Sequence, residues 1–439
     1  MRAMQPVYSK IEMASRDELV SIQLSRLQSI VDYCIRKVPF YAKRLHEVGI
    51  ESGSEIGCLA DIEKIPFTTK EDLRDNYPDG FLAVPMKEVV RVHASSGTTG
   101  KPTVGYYTRK DMDTWSEAAA RVLVQNGLTS DDIMQVSVGY GLFTGAFGFH
   151  QGAERIGCTI VPASTGNTQK QLVMLRDIGA TVLMATPSYA TYLSDLIANS
   201  ETPRTEYRLR RVLLGAERCT EAMRRTIEEN LGVPTADNYG LTECMGPGLA
   251  GECEFRRGLH ISEDLFYPEI IAPGTGAVLP EGETGELVLT TLLREGMPLL
   301  RYRTRDLTSI DRTPCECGRT SARVKAPQSR VDDMFVFKGV NVCPSQVECA
   351  LDSVKGLAPF YRIELARKDN RDYAKVKVEL PHPKAEYSLT ELDRLKMDLD
   401  YKLKEVVIVR MDIELVDPGA IERATGKSKR VEDLRYISE

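Results

Sequence analysis

The sequence predicts an α/β protein: a large N-terminal domain with mostly parallel sheets flanked by helices plus a β-rich subdomain, and a small α+β C-terminal domain. Three observations carry this. Between 133 and 230, short apolar runs alternate with helical stretches, the pattern of strands that are covered on both faces. From Gly274 the pattern changes to strand-like runs separated by Gly and Pro turns. Beyond Pro327 to Arg330 lies a smaller unit of roughly one hundred residues, within the usual domain range. The expected domains are 1–328, with a helical preface over 1–90, and 329–439.

Taken in order, Ser15-Arg16-Asp17-Glu18 forms a capping box ahead of Leu24, Leu27, Val31 and Cys34, which recur at helical spacing. Val90 and Val92 mark one strand and Thr103 to Thr108 a second, with a turn between them. A helix is expected over Asp111 to Asn126. Strands are expected at Ile133 to Val138, Thr159 to Val161, Thr181 to Ala185 and Arg211 to Leu214. Helices are expected at Gln169 to Ile178, Tyr189 to Asn199 and Glu221 to Asn230. In parallel sheets ligands bind beyond the carboxyl ends of the strands. Three loops are expected there: Gly139 to Phe149, Gly215-Ala216-Glu217, and Asn238 to Glu243. Further strands are expected at Glu286 to Thr291 and Leu307 to Ile310, then at Tyr361 to Ala366, Ala374 to Leu380 and Val407 to Leu415. A helix at Leu389 to Glu405 precedes the last of these.

Composition narrows the function. The 439 residues are 42% hydrophobic and 27% charged, ordinary for a globular protein of two or three domains. A net charge of -6 without a basic run argues against nucleic acid as the main partner. No apolar run is long enough to span a bilayer, and Met1 to Lys10 lacks a signal core, so a cytoplasmic protein is expected. The 10 cysteines are then expected to be mostly reduced.

The stretch Ser95-Ser96-Gly97-Thr98-Thr99-Gly100-Lys101-Pro102 gathers hydroxyls, glycines and one cation. Glycine lets backbone N–H groups approach an anion closely, and the hydroxyls and Lys101 add donors and charge. This suits the outer phosphates of ATP, although the G-x-x-x-x-G-K-[ST] spacing is missing; a polar surface hairpin is the alternative. Tyr239-Gly240-Leu241-Thr242-Glu243 offers a ring for a base, a hydroxyl for phosphate and a carboxylate for Mg²⁺. Arg301 to Asp306 sets three arginines beside an acid that suits ribose hydroxyls. Arg330-Val331-Asp332-Asp333 sits at the domain boundary, and Gly426-Lys427-Ser428-Lys429-Arg430 near the C-terminus. Taken singly, the alternatives are a turn, an ion-pair network (the commoner reading of such an arginine run), a linker and a basic tail.

Cysteine spacing raises a separate expectation. Cys315 and Cys317 with Cys253 and His260 would supply three sulfurs and one nitrogen, a set typical of structural zinc; reduced thiols without metal are the alternative. Cys34, Cys58, Cys158 and Cys219 read as core residues, and His93 as a satisfied buried histidine. Tyr140, Phe143, Phe147 and Phe149 read either as core or as an aromatic-lined acid pocket.

Together and in this order, these stretches resemble the adenylate-forming superfamily of acyl-CoA synthetases, peptide-synthetase adenylation domains and luciferases. The nearest branch is that of the phenylacetate-CoA ligases. Tyr140 to Gly145, Gly258-Leu259-His260, Tyr267 to Ile271, Arg301 to Asp306 and Gly339 to Gln346 are especially similar. Ser329, where glycine is usual, and Cys343, where an aromatic is common, depart from the pattern.

The resemblance implies a two-step ligase: a carboxylate attacks the α-phosphorus of ATP, pyrophosphate leaves, and the thiol of coenzyme A then displaces AMP. It implies that Ser95, Ser96, Gly97, Thr98, Thr99, Gly100 and Lys101 hold the β- and γ-phosphates. Thr242 would hold the α-phosphate and Glu243 Mg²⁺. Gly215, Ala216, Glu217, Asn238, Tyr239 and Gly240 would border the adenine and the acid, Asp306 and Arg330 the ribose. Tyr140 and Phe143 would meet the acid's tail. Lys427 would bridge carboxylate and α-phosphate, and Asp332 would be the hinge on which a mobile small domain turns. Expected partners are a small aromatic carboxylic acid, ATP and CoA, without nucleic acid or membrane; a homodimer is left open. Two rivals remain: an adenylyltransferase of the same fold that uses no CoA, and a zinc-bearing binding module.

Overall fold

Val182–Ala185 is buried at every position, as a central parallel strand must be when helices cover both faces. It lies inside a nine-stranded sheet. The computed structural model describes residues 7–95, 102–327, 329–330, 335–337, 340–368, 371–407, 409–423 and 430–435. From one edge the strand order is Thr159–Val161, Ile133–Ser137, Val182–Ala185, Arg211–Leu214, Thr235–Leu241, Gly246–Glu252, Leu259–Ile261, Arg323–Val324 and Ile310–Asp311. The first four strands pair in parallel. From Thr235–Leu241 onward the pairing is antiparallel.

The α/β fold class holds. Its β-rich part divides between two sheets. Leu259–Ile261, Arg323–Val324 and Ile310–Asp311 continue the large sheet, whereas Phe266–Ile271, Gly285–Thr291 and Tyr302–Thr308 pair as a separate antiparallel ribbon. Antiparallel strands need only short connections, so they can extend a parallel sheet without crossover helices. The run expected as one strand at Leu307 to Ile310 is therefore split, its two ends pairing in different sheets. Two further boundaries differ. Helix Gly145–Ile156 takes up half of the loop expected at Gly139 to Phe149, and helix Leu389–Val407 runs to the point where a strand was expected.

Local chemistry explains the helices. Ser15 Oγ accepts from Glu18 N at 3.2 Å while Glu18 accepts from Ser15 N at 2.8 Å, which starts helix Arg16–Lys37. Thr108 and Asp111 form the same box at the start of helix Arg109–Gln125. Gly157, at φ +90, closes helix Gly145–Ile156. Among the described residues no helix is long and apolar enough to cross a membrane.

The chain divides into two units. The first comprises Met1–Ala185, Tyr207–Ala216 and Ala236–Pro327; the second comprises Thr186–Glu206, Glu217–Thr235 and Gln328–Glu439. The first contains the large sheet, the ribbon and a core running from Leu27 and Val31 to Leu300 and Val324. In the second, Asp412–Val416, Arg371–Glu379, Tyr361–Lys368 and Val431–Asp433 form a sheet whose central pair is antiparallel and whose outer strands are parallel to their neighbours. Helices Pro344–Asp352 and Leu389–Val407 pack together over a core of Val347, Ile363, Val376, Leu399 and Leu403. Of the four cysteines expected in cores, Cys34 and Cys158 are buried, but Cys58 is exposed and Cys219 half-exposed. Cys58 caps the surface helix Leu59–Lys64.

Candidate active site

Strand adjacency brings the candidate loops together. Ile133–Ser137, Val182–Ala185, Arg211–Leu214 and Thr235–Leu241 are successive neighbours in the sheet, so the loops that leave the first, third and fourth lie along one end of it. Strand Thr235–Leu241 runs further than expected and carries Asn238, Tyr239 and Gly240 within it. Asn238 is buried and donates through Nδ2 to Leu214 O, tying two strand ends together. A Cβ on Gly215 would stand 2.6 Å from Asn238 Oδ1, and one on Gly240 would stand 2.2 Å from Gly246 O, so neither position admits a side chain as the backbone stands. Ala216 holds φ +72, a region that costs a non-glycine residue energy and tends to mark a functional turn.

Tyr239 Oη donates to Asp306 Oδ2 at 2.5 Å. Burial, reinforced by the Asp306 charge, pushes the Tyr239 phenol well above its ordinary value, so it remains a donor. Asp306 lies on strand Tyr302–Thr308, where it is buried. The three arginines beside it are committed elsewhere. Arg301 forks onto Glu269 at 2.7 and 3.1 Å, Arg303 meets Glu286, and Arg305 meets Glu71 at 2.6 Å. For these three arginines the ion-pair network is the reading the structure supports.

The turn Thr242–Cys244 comes next in the chain. Thr242 Oγ1 lies 3.2 Å from Thr144 Oγ1. Glu243 is buried, yet among the described residues its carboxylate pairs with no cation and accepts no hydrogen bond. A desolvated carboxylate without a partner suits a divalent cation. Met245 ends the turn at φ +121, a second strained non-glycine position. Glu217, in the second unit, accepts from Ser188 N at 2.6 Å, so its carboxylate caps helix Pro187–Ala198.

At the glycine-rich stretch, strands Val89–Ala94 and Val104–Thr108 pair antiparallel, as a hairpin requires. Ser95 closes its base: Ser95 N donates to Thr103 O at 2.9 Å, and Thr103 N to Ser95 Oγ at 3.3 Å. Among the described residues the buried Thr103 hydroxyl has no partner. Ser96, Gly97, Thr98, Thr99, Gly100, Lys101, Asp332 and Lys427 lie outside the described residues, and Arg330 is described in backbone alone, in the strand Ser329–Arg330.

Of the four candidate acid-pocket aromatics, Phe149 is fully buried core and Phe143 is 48% exposed. Tyr140 stacks edge-on against Phe147 at 5.2 Å and against His150 at 5.7 Å, with Tyr140 Oη 2.9 Å from His150 Nδ1. His93 is buried as expected, but only half satisfied. Its Nδ1 pairs with Leu142 O at 3.0 Å, while Nε2 has no partner among the described residues.

Away from this site, the ligand atoms of Cys253, His260, Cys315 and Cys317 all lie within 4.8 Å of one another, and all four residues are buried. His260 Nδ1 stands 3.2 Å from Ser321 Oγ, leaving Nε2 3.3 Å from Cys317 Sγ. The hydrogen bond from Cys253, with His260 adding to it, holds the Cys317 thiol below its ordinary value. Three sulfurs and one nitrogen in that compass match a closed tetrahedral zinc set.

Residues 38–292 match the AMP-binding enzyme family model, and residues 339–435 match the AMP-binding enzyme C-terminal domain. The chain belongs to the AMP-binding enzyme family. Phenylacetate-coenzyme A ligases from several bacteria are 44% identical to it. That of Aromatoleum evansii aligns over 97% of this chain and 96% of its own, and that of Escherichia coli (strain K12) over 97% of each. A solved 2-hydroxyisobutyryl-CoA ligase in the postadenylation state, in complex with 2-HIB-AMP, superposes with a TM-score of 0.89 at 27% identity, covering 98% of this chain and 94% of that one. In this AMP-binding enzyme the sequence reading overlooked Thr144, Tyr107 and Arg294, which support the Thr242–Cys244 turn. Thr144 stood in a stretch already singled out; nothing in one-dimensional pattern distinguishes Arg294 from a surface cation.

Proposed function

We propose that this protein is an ATP-dependent aryl or arylacetic acid:CoA ligase, AMP-forming, of the phenylacetate-CoA ligase type. The observation that carries the reading is the pairing of Tyr239 with Asp306 at the end of the strand that leads into Glu243. It brings the Asp306 carboxylate, from a strand of another sheet, onto the Tyr239 ring, four residues ahead of the buried Glu243 carboxylate. Full-length likeness to phenylacetate-coenzyme A ligases supports the acid class and CoA, and disfavours the CoA-independent alternative.

The chemical problem is charge, because an anionic carboxylate must approach a polyanion. Ser95 to Lys101 hold the outer phosphates of ATP, and Thr242 holds the α-phosphate beside Thr144. Tyr239 and the Gly215 to Glu217 turn flank the adenine, and Asp306, kept in place by Tyr239, accepts the ribose hydroxyls, with Arg330 nearby. Glu243 would hold Mg²⁺, which supplies positive charge against the phosphates. Tyr140 and Phe143 meet the acid's ring. Lys427 bridges the incoming carboxylate and the α-phosphate, and Asp332 is the hinge that withdraws it before the CoA thiol arrives. Residues 1–328 hold the substrates and 329–439 carry the lysine. The expected setting is cytoplasmic, with small molecules rather than nucleic acid or membrane as partners. Pyrophosphate release with a panel of acids, with and without CoA, tests this: thioester formation only with aromatic acids supports it, and release independent of CoA with no thioester overturns it.

A second reading concerns zinc. Cys253, His260, Cys315 and Cys317 would hold one ion with no open position, so its work is structural, fastening the strands around His260 to the Cys315–Gly318 turn.

A further inference from the structure

Arg294 is among the largest fully buried side chains of the protein. A guanidinium keeps its proton at every accessible pH, so burying one calls for compensation. Arg121, Arg301, Arg319 and Arg323, also buried, each meet a carboxylate at 2.7 Å. Among the described residues Arg294 meets none within 4.0 Å. Its Nη1 donates to Glu243 O at 2.8 Å, Nη2 reaches Tyr106 O at 3.5 Å, Nε has no partner, and the guanidinium lies over the Tyr107 ring at 4.5 Å. Tyr107 in turn donates from its hydroxyl to Thr242 O at 3.3 Å. Two successive carbonyls of the Thr242–Cys244 turn are thus held from behind by one cation and the ring on which it rests.

Gly105, on the strand that leaves the glycine-rich stretch, completes the geometry. A Cβ there would stand 3.3 Å from Arg294 Nη2 and 3.5 Å from Thr242 O. The strand that follows the phosphate-loop candidates in the chain therefore comes directly against both. Carbonyls, a ring and the missing side chain of Gly105 bring the cation to the turn; among the described residues no carboxylate stands within 4.0 Å of it.

We propose that Arg294 is a positioning residue whose charge, in direct contact with no described carboxylate, is matched by the nucleotide: it fixes Thr242 and Glu243 and lends positive potential to the triphosphate. This rests on the ligase reading above. The charge matters most while pyrophosphate is still attached, and less once the adenylate has formed. The two half-reactions should therefore respond unequally, which a residue that only maintains the fold would not cause.

The test uses the full chain with phenylacetate, ATP and CoA, and separately with supplied phenylacetyl-adenylate and CoA. Arg294→Met is expected to slow pyrophosphate release about 100-fold while leaving thioester formation from the adenylate within about threefold of wild type. Arg294→Lys, keeping the charge but losing the fork, is expected to fall between the two. Tyr107→Phe, which removes only the bond to Thr242 O, is expected to raise KM for ATP about fivefold and serves if Arg294→Met does not fold. Equal loss in both half-reactions, or wild-type adenylation in Arg294→Met, overturns the inference. So does an unchanged KM in Tyr107→Phe. A wild-type protein that makes no thioester with any aromatic acid would instead overturn the ligase reading.

Discussion

Tyr239 and Asp306 lie 67 residues apart in sequence, on strands of two different sheets, yet the phenol of one donates to the carboxylate of the other at 2.5 Å. The bond uses one oxygen of a buried acid and orients the group. Tyr239→Phe keeps the ring and removes the donor. KM for ATP is expected to rise about 5- to 10-fold, the scale of one hydrogen bond to a charged group, with a smaller change in kcat. Initial rates against ATP concentration check it; unchanged KM would detach the pair from nucleotide binding.

Lys427 is expected to serve one half-reaction only. Lys427→Ala should abolish pyrophosphate release and leave thioester formation from supplied acyl-adenylate near wild type. Rapid-quench measurement of each step decides, and equal loss in both would remove the assigned role.

The sulfur–imidazole cluster should hold about one zinc per chain, and a purified protein with less than about half would not support it. Cys317→Ser is expected to lose the metal and lower the melting temperature, while adenylation by the remaining folded protein persists.

Arg301 answers a different question. Its bidentate pair with Glu269 is buried, and it also donates to Glu63 O and Ile65 O at 2.9 Å. Arg301→Met is expected to destabilise the protein by about 3–5 kcal/mol, because Glu269 would be left as an unpaired buried charge. KM for ATP measured well below the melting temperature should not change. Pairing the substitution with Glu269→Gln should recover part of the loss in denaturant titration.

His93 sets a pH dependence. Burial holds its imidazole below the ordinary value of 6.5. The unfolded chain takes a proton near pH 6.5 that the folded chain refuses until lower pH. Stability is therefore complete above about pH 6.5 and is lost as pH falls through the folded value. His93→Phe should flatten the fall in melting temperature between pH 8 and pH 5.5; an unchanged slope would exclude His93 as its source.

Much of this was readable beforehand. Arg211–Leu214 matched its strand end to end, since a largely buried strand leaves a continuous apolar signature; the edge strand Thr159–Val161 also matched, although only Val161 is buried. The Ser15–Glu18 box was legible because its partners are three residues apart. Strand ends at Leu307 to Ile310 were misjudged because pairing partners, not composition, decide where a short strand stops. The partners of the arginines at 301, 303 and 305 could not be named for the same reason: Glu269, Glu286 and Glu71 are remote in sequence and invisible to a local reading.

Residue type, spacing and order were enough to determine the family, the α/β class, and which hydroxyls, carboxylates and thiols are candidates for chemistry, because those depend on neighbours along the chain. Tertiary structure alone decided which charges are spent on one another. It alone decided that, among the described residues, the Glu243 carboxylate stays unpartnered and the buried Arg294 backs its turn without a carboxylate. Desolvation and pairing depend on what surrounds a group in three dimensions, and a linear pattern carries no record of that.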